Sequence, residues 1–176
     1  GTAKTVFASI ISRYQDPDGD LGISDEGWEI AAKFLGNAHN IADGEDAVGS
    51  VIDGTYPMDE HWASGVLTEQ KDRDYKFQIM TPDVGEPYVV ESLAISAGTK
   101  KYDTCVAFLN WLGSSDVQLD WSNNYGTIPC QKEALAQVSD DIKELMETLK
   151  PQDLDWSFIA ENVDAWVEKA ELEYVQ

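Results

Sequence analysis

Apolar residues recur at helical spacing through much of the chain. Val6, Phe7, Ile10, Ile11 and Tyr14 fall on one stripe, which predicts a helix over 3–14 capped by Thr2. Ser24 opens a second helix running to about Leu35. Asp25 and Glu26 sit in its first turn, where the helix dipole favours carboxylates, and Gly36-Asn37 stops it. Asp43 is placed to cap a short helix carrying Val48, Val51 and Ile52, closed by Gly54. Tyr56, Met58 and Glu60 would share one face of a short extended segment, with a helical stretch around 61–67 beyond it.

The period changes after residue 74. Tyr75, Phe77 and Ile79 alternate, which predicts a strand over 75–81. The turn-rich PDVGEP at 82–87 is the best candidate for a lobe boundary. YVVESLAIS at 88–96 is apolar except for Glu91 and the serines, the pattern of a strand buried in a parallel or mixed sheet. The remainder reads as helices. Residues 103–112 carry Cys105, Val106, Leu109 and Leu112 on one face and end at Gly113, and Ser115 with Gln118 forms a capping box for the next. Further helices are predicted near 132–138, 140–149 and 157–174, the last behind a Ser157 cap. Strands alternating with helices in the first half place the chain in the α/β class. Most of the six tryptophans lie on apolar helix stripes and are expected in the core.

Composition narrows the function. A chain of 176 residues suits one domain or two small lobes, and a hydrophobic fraction of 43% supports a packed core. Acidic residues number 33 against 12 basic, a net charge of −21, and that field repels nucleic acid and anionic lipid. No apolar run approaches a membrane span, and no charged-then-apolar leader opens the sequence. GTAKTVFASII begins already inside a helical pattern, so a fragment or a processed chain is expected. Cys105 and Cys130 allow one disulfide at most. Cys105 reads as a small buried hydrophobe.

Candidate chemistry is sparse. Asp16, Asp18 and Asp20 have the 1, 3, 5 spacing of a calcium-binding EF-hand loop, with Ile23 at its aliphatic position. The sixth and twelfth positions are Leu21 and Gly27, where such a loop needs Gly and a bidentate Glu. The stretch therefore reads as a solvated connection turned by Pro17, Gly19 and Gly22, with a calcium site over 16–26 as the alternative. His39 and His61 have no Cys or His partner at ligand spacing, and no nucleophile elbow or Walker loop is present. No catalytic residue, metal site or cofactor is predicted.

The stretch GEPYVVESLAISAGTKKYDTCVAFLNWLGSSDVQ resembles bacterial extracellular solute-binding proteins that feed ABC transporters, in the group holding ferric-iron, phosphonate and sugar-phosphate binders. It matches through a Pro-x-x-Gly turn at 82–85, Ala94-Ile95 ending an apolar strand, Gly98-Thr99-Lys100, a Phe-Leu-x-Trp-Leu core at 108–112, and Ser114 to Gln118. GTAKTVFASII, DEGWEIAAKFLGN, VIDGTYPM, NNYGTIPC and DLDWSFIAENVDAW resemble further family segments in the same order.

The resemblance implies a type 2 periplasmic-binding α/β fold, with 1–82 forming most of lobe two and 83–176 the crossover strand and C-terminal part of lobe one. It implies a non-enzymatic, extracytoplasmic component of an importer. A small-molecule solute and the transporter permease are its partners, nucleic acid is not one, and the chain alone could self-associate. In the family a helix N-terminus faces the cleft, which points here to Gly1, Thr2 and Ala3 as anion contacts, with N-capping by Thr2 as the structural alternative. Tyr56, Glu60 and His61 lie where the chain returns towards the cleft. Tyr88 and Glu91 lie on the crossover strand. Iron-binding members use adjacent tyrosines, and Thr55-Tyr56 offers one, so a phosphonate, sugar phosphate or similar anion is expected ahead of iron. An acidic protein-interaction domain on the same scaffold is the alternative.

Overall fold

The computed structural model describes residues 1–42 and 44–175. The chain forms two compact units. The first comprises Gly1–Glu60, Gly85–Pro87 and Pro151–Gln176, and the second His61–Val84 and Tyr88–Lys150.

The first unit is a helical core closed by a small hairpin. Helix α1 (Thr2–Ile11) continues into a 3-10 turn (Ser12–Tyr14), then strand β1 (Gln15–Asp20), α2 (Asp25–Gly36), α3 (Ala47–Ile52) and, much later in the chain, α9 (Trp156–Glu173). Phe7, Ala8 and Ile11 from α1, Trp28 and Ala31 from α2, and Ile159, Trp166 and Ala170 from α9 pack together with Ile23. These positions recur every three or four residues on their helices, which is why three amphipathic segments bury a common centre.

The acidic loop is more than a solvated connection. Gln15 and Asp20 bridge antiparallel to Ile23, the Asp16 N–H donates to the Gly22 carbonyl at 2.9 Å, and the chain reverses through Leu21 (φ 53°) and Gly22 (φ 76°). Asp, Gly and Pro disfavour strand, so local preference did not predict it. The hairpin is imposed by the core. The indole N–H groups of Trp28 and Trp166 donate to the Asp20 and Leu21 carbonyls, each at 3.0 Å, while Ile23 is fully buried beneath. Lys169 fastens the rim: its ammonium lies 3.2 Å from Asp20 and 2.7 Å from Glu173, over the Trp28 ring at 5.1 Å.

Gly27 shows how closely the first turn of α2 is pressed onto this hairpin. A Cβ there would sit 2.5 Å from Ile23 Cγ2 and 2.6 Å from Tyr14 Cβ. Ser24 caps α2 as expected, its hydroxyl accepting from the Gly27 N–H. Three other caps differ. Thr2 is the first residue of α1 rather than its cap, Asp155 rather than Ser157 caps α9, and Asp46 caps α3. The cap expected at Asp43 lies outside the described residues. Each observed carboxylate cap accepts from a first-turn amide, Asp46 from Gly49 and Asp155 from Ser157 and Phe158.

The second unit contains α4 (Ala63–Arg73), α5 (Tyr102–Leu112), α6 (Ser115–Tyr125), α7 (Lys132–Leu135) and α8 (Asp140–Thr148). Its buried apolar residues are Ala134, Val138, Ile142 and Leu145. Gly126 ends α6 in the left-handed region (φ 68°), where a Cβ would meet the Ser64 carbonyl at 2.8 Å, so the end of α6 rests on the first turn of α4. The capping box expected of Ser115 and Gln118 does not form. Ser115 is already helical, and the Gln118 side chain instead bonds the Leu112 carbonyl and the Cys130 N–H. Both cysteines are free thiols, with Cys105 half-buried and Cys130 exposed.

The two strands expected in this unit are absent among the described residues: 75–81 and 88–96 are irregular and enter no ladder. Alternation specifies which way side chains point, whereas a strand also needs a hydrogen-bonding neighbour. The short extended face expected of Tyr56, Met58 and Glu60 is likewise broken by bends at 55–57. Of the tryptophans, Trp28 and Trp166 are buried, and Trp62, Trp111, Trp121 and Trp156 are exposed.

Candidate functional site

The N-terminus of α1 is open. Gly1 occupies the cap position without a side-chain hydrogen bond, and no acidic residue lies in the first turn. The Gly1 carbonyl accepts from the Thr5 N–H and hydroxyl, so the helix starts cleanly, and the amides of its first turn have no acceptor within the helix. Gly1 and Ala3 are exposed and Thr2 is half-buried. Such an end carries partial positive charge and unpaired donors, the chemistry that holds a phosphate or carboxylate. Lys4, one turn in, pairs with Asp164.

Tyr56 belongs to a cluster that the sequence did not indicate. Its hydroxyl donates to Glu45 Oε1 at 3.2 Å. His39 Nε2 lies 2.9 and 3.1 Å from the two Glu45 oxygens, and the Ala42 N–H donates to Glu45 Oε2 at 3.0 Å. The His39 and Tyr56 rings stack with centroids 5.1 Å apart. The Ala42 amide, with help from His39 and Tyr56 and against some burial, holds the Glu45 carboxyl below its ordinary range. Burial and then the bond to Glu45 push the Tyr56 phenol up, so it keeps its proton at neutral pH.

Local turns set this geometry. Asp53 accepts from the Thr55 N–H at 2.9 Å, Gly54 takes φ 82°, and the Tyr56 N–H returns to the Ser50 carbonyl at 3.0 Å. The bonds from Thr55 hold Asp53 below its ordinary range as well. Spacings of 6 and 11 residues within irregular backbone match no motif, and His39 has no Cys or His partner at ligand spacing in the sequence. A carboxylate flanked by His and Tyr in a Gly-containing loop was the one available signal.

Glu60 closes the first unit's long N-terminal segment. The residue is exposed, yet burial of its carboxyl and then the neighbouring Asp59 charge raise its pKa.

The other expected residues lie in the second unit. The half-buried His61 ring stacks on Trp62 at 4.3 Å, and both fold over Gly65, where a Cβ would meet the Trp62 and His61 ring nitrogens at 2.5 and 2.6 Å. Tyr88 is half-buried and Glu91 exposed. Glu91, expected within a buried strand, is therefore not an interior carboxylate.

The structure thus places Gly1, Thr2, Ala3, Tyr56 and Glu60 in one unit and His61, Tyr88 and Glu91 in the other. A separate groove of about 390 Å³ in the second unit is lined by Gln70, Phe77, Ile79, Asp141, Glu144 and Thr148 and bridged by the Lys76–Glu144 ion pair at 3.1 Å. It contains none of the expected residues. Among the described residues no three His, Cys, Asp or Glu side chains converge as a metal site. Asp16 accepts from the Asp18 N–H, and Asp20 is turned to Lys169.

Comparison with known proteins gives two positive findings. The family described as bacterial extracellular solute-binding protein matches residues 4–150. A protein of Sinorhizobium fredii (strain NBRC 101917 / NGR234), named as probable ABC transporter periplasmic-binding protein y4fP, is 33% identical over 175 residues, covering 99% of this chain and 48% of the relative. The chain therefore spans about half the length of that relative. No solved structure matches.

Proposed function

The chain belongs to the bacterial extracellular solute-binding protein family, and from that premise we propose that it serves an ABC importer outside the cytoplasmic membrane, holding a small solute for delivery to the permease. Proteins of this kind are generally non-enzymatic and fit a periplasmic-binding fold. The observation that carries the proposal is the alignment to the relative, which extends over 99% of the chain. Among the described residues no helix is long and apolar enough to cross a membrane.

The proposed solute is a small anion such as a phosphonate or sugar phosphate, with ferric iron as the competing cargo. Two features support that order. The open α1 end offers amides from Gly1, Thr2 and Ala3 to an acid group. The Tyr56 hydroxyl is already engaged with Glu45, and its pKa is pushed further up by burial and then by that bond, which works against its serving as a phenolate ligand to ferric iron. Glu60 joins Tyr56 as a proposed ligand residue of the first unit. His61, Tyr88 and Glu91 are the proposed ligand residues of the second, where exposed Glu91 can accept from a solute hydroxyl or ammonium.

The second reading is an acidic protein-interaction domain on the same scaffold, favoured by the net charge of −21. Thermal shift against inorganic phosphate, methylphosphonate, glucose 6-phosphate and ferric citrate separates these readings. A saturable rise in Tm with an organic phosphate or phosphonate is expected, because a ligand that binds only the folded state stabilises it by mass action. A response confined to ferric citrate would replace the anion with iron. No response to any of the four, with a basic protein partner raising Tm instead, would favour the interaction domain.

A further inference from the structure

Tyr56 has one proton to give, and the fold has already assigned it. A phenol carries a single O–H donor and otherwise only lone pairs. The Tyr56 hydroxyl donates to Glu45 Oε1 at 3.2 Å. Its position beside that carboxylate is tied at both ends of the residue. The Tyr56 N–H returns to the Ser50 carbonyl at 3.0 Å, and the ring stacks on His39 with planes 25° apart.

The acceptor is a demanding one. Half-buried Glu45 gathers the Tyr56 hydroxyl on Oε1, the Ala42 N–H on Oε2, and His39 Nε2 across both oxygens. A carboxylate only accepts, so each of these groups must donate to it. Bonds to an ionised acceptor are the stronger kind, and turning the Tyr56 proton outward would break one of them. A phosphate brought against Tyr56 would also approach the Glu45 charge behind it, which repels it. What Tyr56 has left to offer is a lone pair.

We infer that Glu45 sets the polarity of Tyr56, so that Tyr56 accepts from a donor group of the solute, a hydroxyl or an ammonium, and rejects an oxygen that can only accept. Glu45 is then a positioning residue that determines specificity without touching the solute, and His39 holds both partners in place. The inference deepens the solute reading above and rests on Tyr56 being a ligand residue. It divides the solute's groups: the acid group belongs at free amides, such as those of Gly1–Ala3, and the donor group at Tyr56.

The test compares 2-hydroxyethylphosphonate with 2-oxopropylphosphonate by isothermal titration calorimetry. The two carry the same charge, and the first has an O–H where the second has a carbonyl. The protein should bind the hydroxyl solute about tenfold more tightly, roughly the worth of one hydrogen bond. In Glu45→Gln the shape is kept, but the Ala42 N–H holds the amide oxygen on its own side and leaves the NH2 group facing Tyr56. The Tyr56 proton is thereby released outward, and the preference should fall to about twofold or less. Loss of the Glu45 charge cancels in the ratio. Glu45→Ala, which offers Tyr56 nothing, should give the same fall. A preference that stays near its starting value in both variants overturns the inference.

Two further arms separate this inference from the reading beneath it. Tyr56→Phe should weaken the hydroxyl solute by about tenfold and leave the ketone unchanged. If it weakens neither, or if neither solute binds the unaltered protein, the solute reading at Tyr56 fails and the inference falls with it. The second arm needs no solute. NMR of the ring-labelled tyrosines follows the Tyr56 phenol, identified by its loss in Tyr56→Phe. Its pKa should drop in Glu45→Gln, because the bond to the carboxylate is one of the causes that push it up. An unchanged titration means that Glu45 does not hold the proton, and overturns the inference while the solute reading stands.

Discussion

The two units treat most of their tryptophans in opposite ways, the exception being Trp156, exposed at the start of α9 in the first unit. In the first, Trp28 and Trp166 are buried, and each indole N–H closes a hydrogen bond to the hairpin above it. In the second, Trp62, Trp111 and Trp121 lie about half in solvent, although two of them are on helices as regular as any in the chain. Helix formation is therefore not what separates the units. The first has α1, α2 and α9 converging on one centre, while in the second several apolar faces are left without an opposing element. An aromatic stripe states that a face can be buried, and only the tertiary partner decides whether it is.

Substituting tryptophans across the two units gives the largest test of that contrast. Trp166→Ala removes a fully buried ring and orphans the Leu21 carbonyl, and should cost about 3–5 kcal/mol. Trp121→Ala should change stability by about 0.5 kcal/mol or less, as exposed positions usually do. Urea unfolding of both variants measures the pair. Similar losses would mean that the second unit has a core of its own around Trp121.

The parts legible in the sequence were those decided locally. Ser24 accepting from Gly27, the end of α5 at Gly113 and the stop of α2 near Gly36 each depend on a few neighbouring residues. What could not be read depends on distant partners. The hairpin at 15–23 forms against its own composition because two indoles, one of them 145 positions away, bind its carbonyls. Residues 75–81 and 88–96 alternate or cluster as strands should, yet among the described residues they join no ladder, because alternation carries no information about the neighbour. The His39–Glu45–Tyr56 cluster was hidden for a related reason: three side chains on irregular backbone meet through turns, and no spacing rule describes them.

A smaller effect probes how tightly the first unit is closed. Gly27→Ala should destabilise it by about 1–3 kcal/mol, because the new methyl overlaps Ile23 and Tyr14 in a packed interior. Gly36→Ala, at the end of the same helix with open space around it, is the control and should be near neutral. If Gly27→Ala also leaves the urea midpoint unchanged, the hairpin is not held against α2.

The smallest expected effects lie at the margin of the first unit, between residues 39 and 60, and they differ in sign with pH. Glu45 is held below its ordinary pKa, so its contribution is present at neutral pH and is lost as pH falls through the folded value. Glu45→Gln should lower Tm at pH 7, with the difference closing in acid. Glu60 is raised, so folding is favoured while it is protonated, and that contribution is lost as pH rises through its folded value. Glu60→Gln should therefore raise Tm slightly at pH 7 and leave it unchanged in acid. Melting curves from pH 3 to 7 read both, and parallel profiles for the two variants would show that the two carboxyls share one environment.

The claim that matters most is that this family member holds a small solute, and native mass spectrometry of the protein as purified addresses it without prior choice of ligand. The account predicts a mass excess of a few hundred daltons that leaves on gentle activation and carries phosphorus, as a phosphonate or sugar phosphate does. A protein with no small-molecule adduct, carrying instead a stoichiometric basic polypeptide, would contradict it.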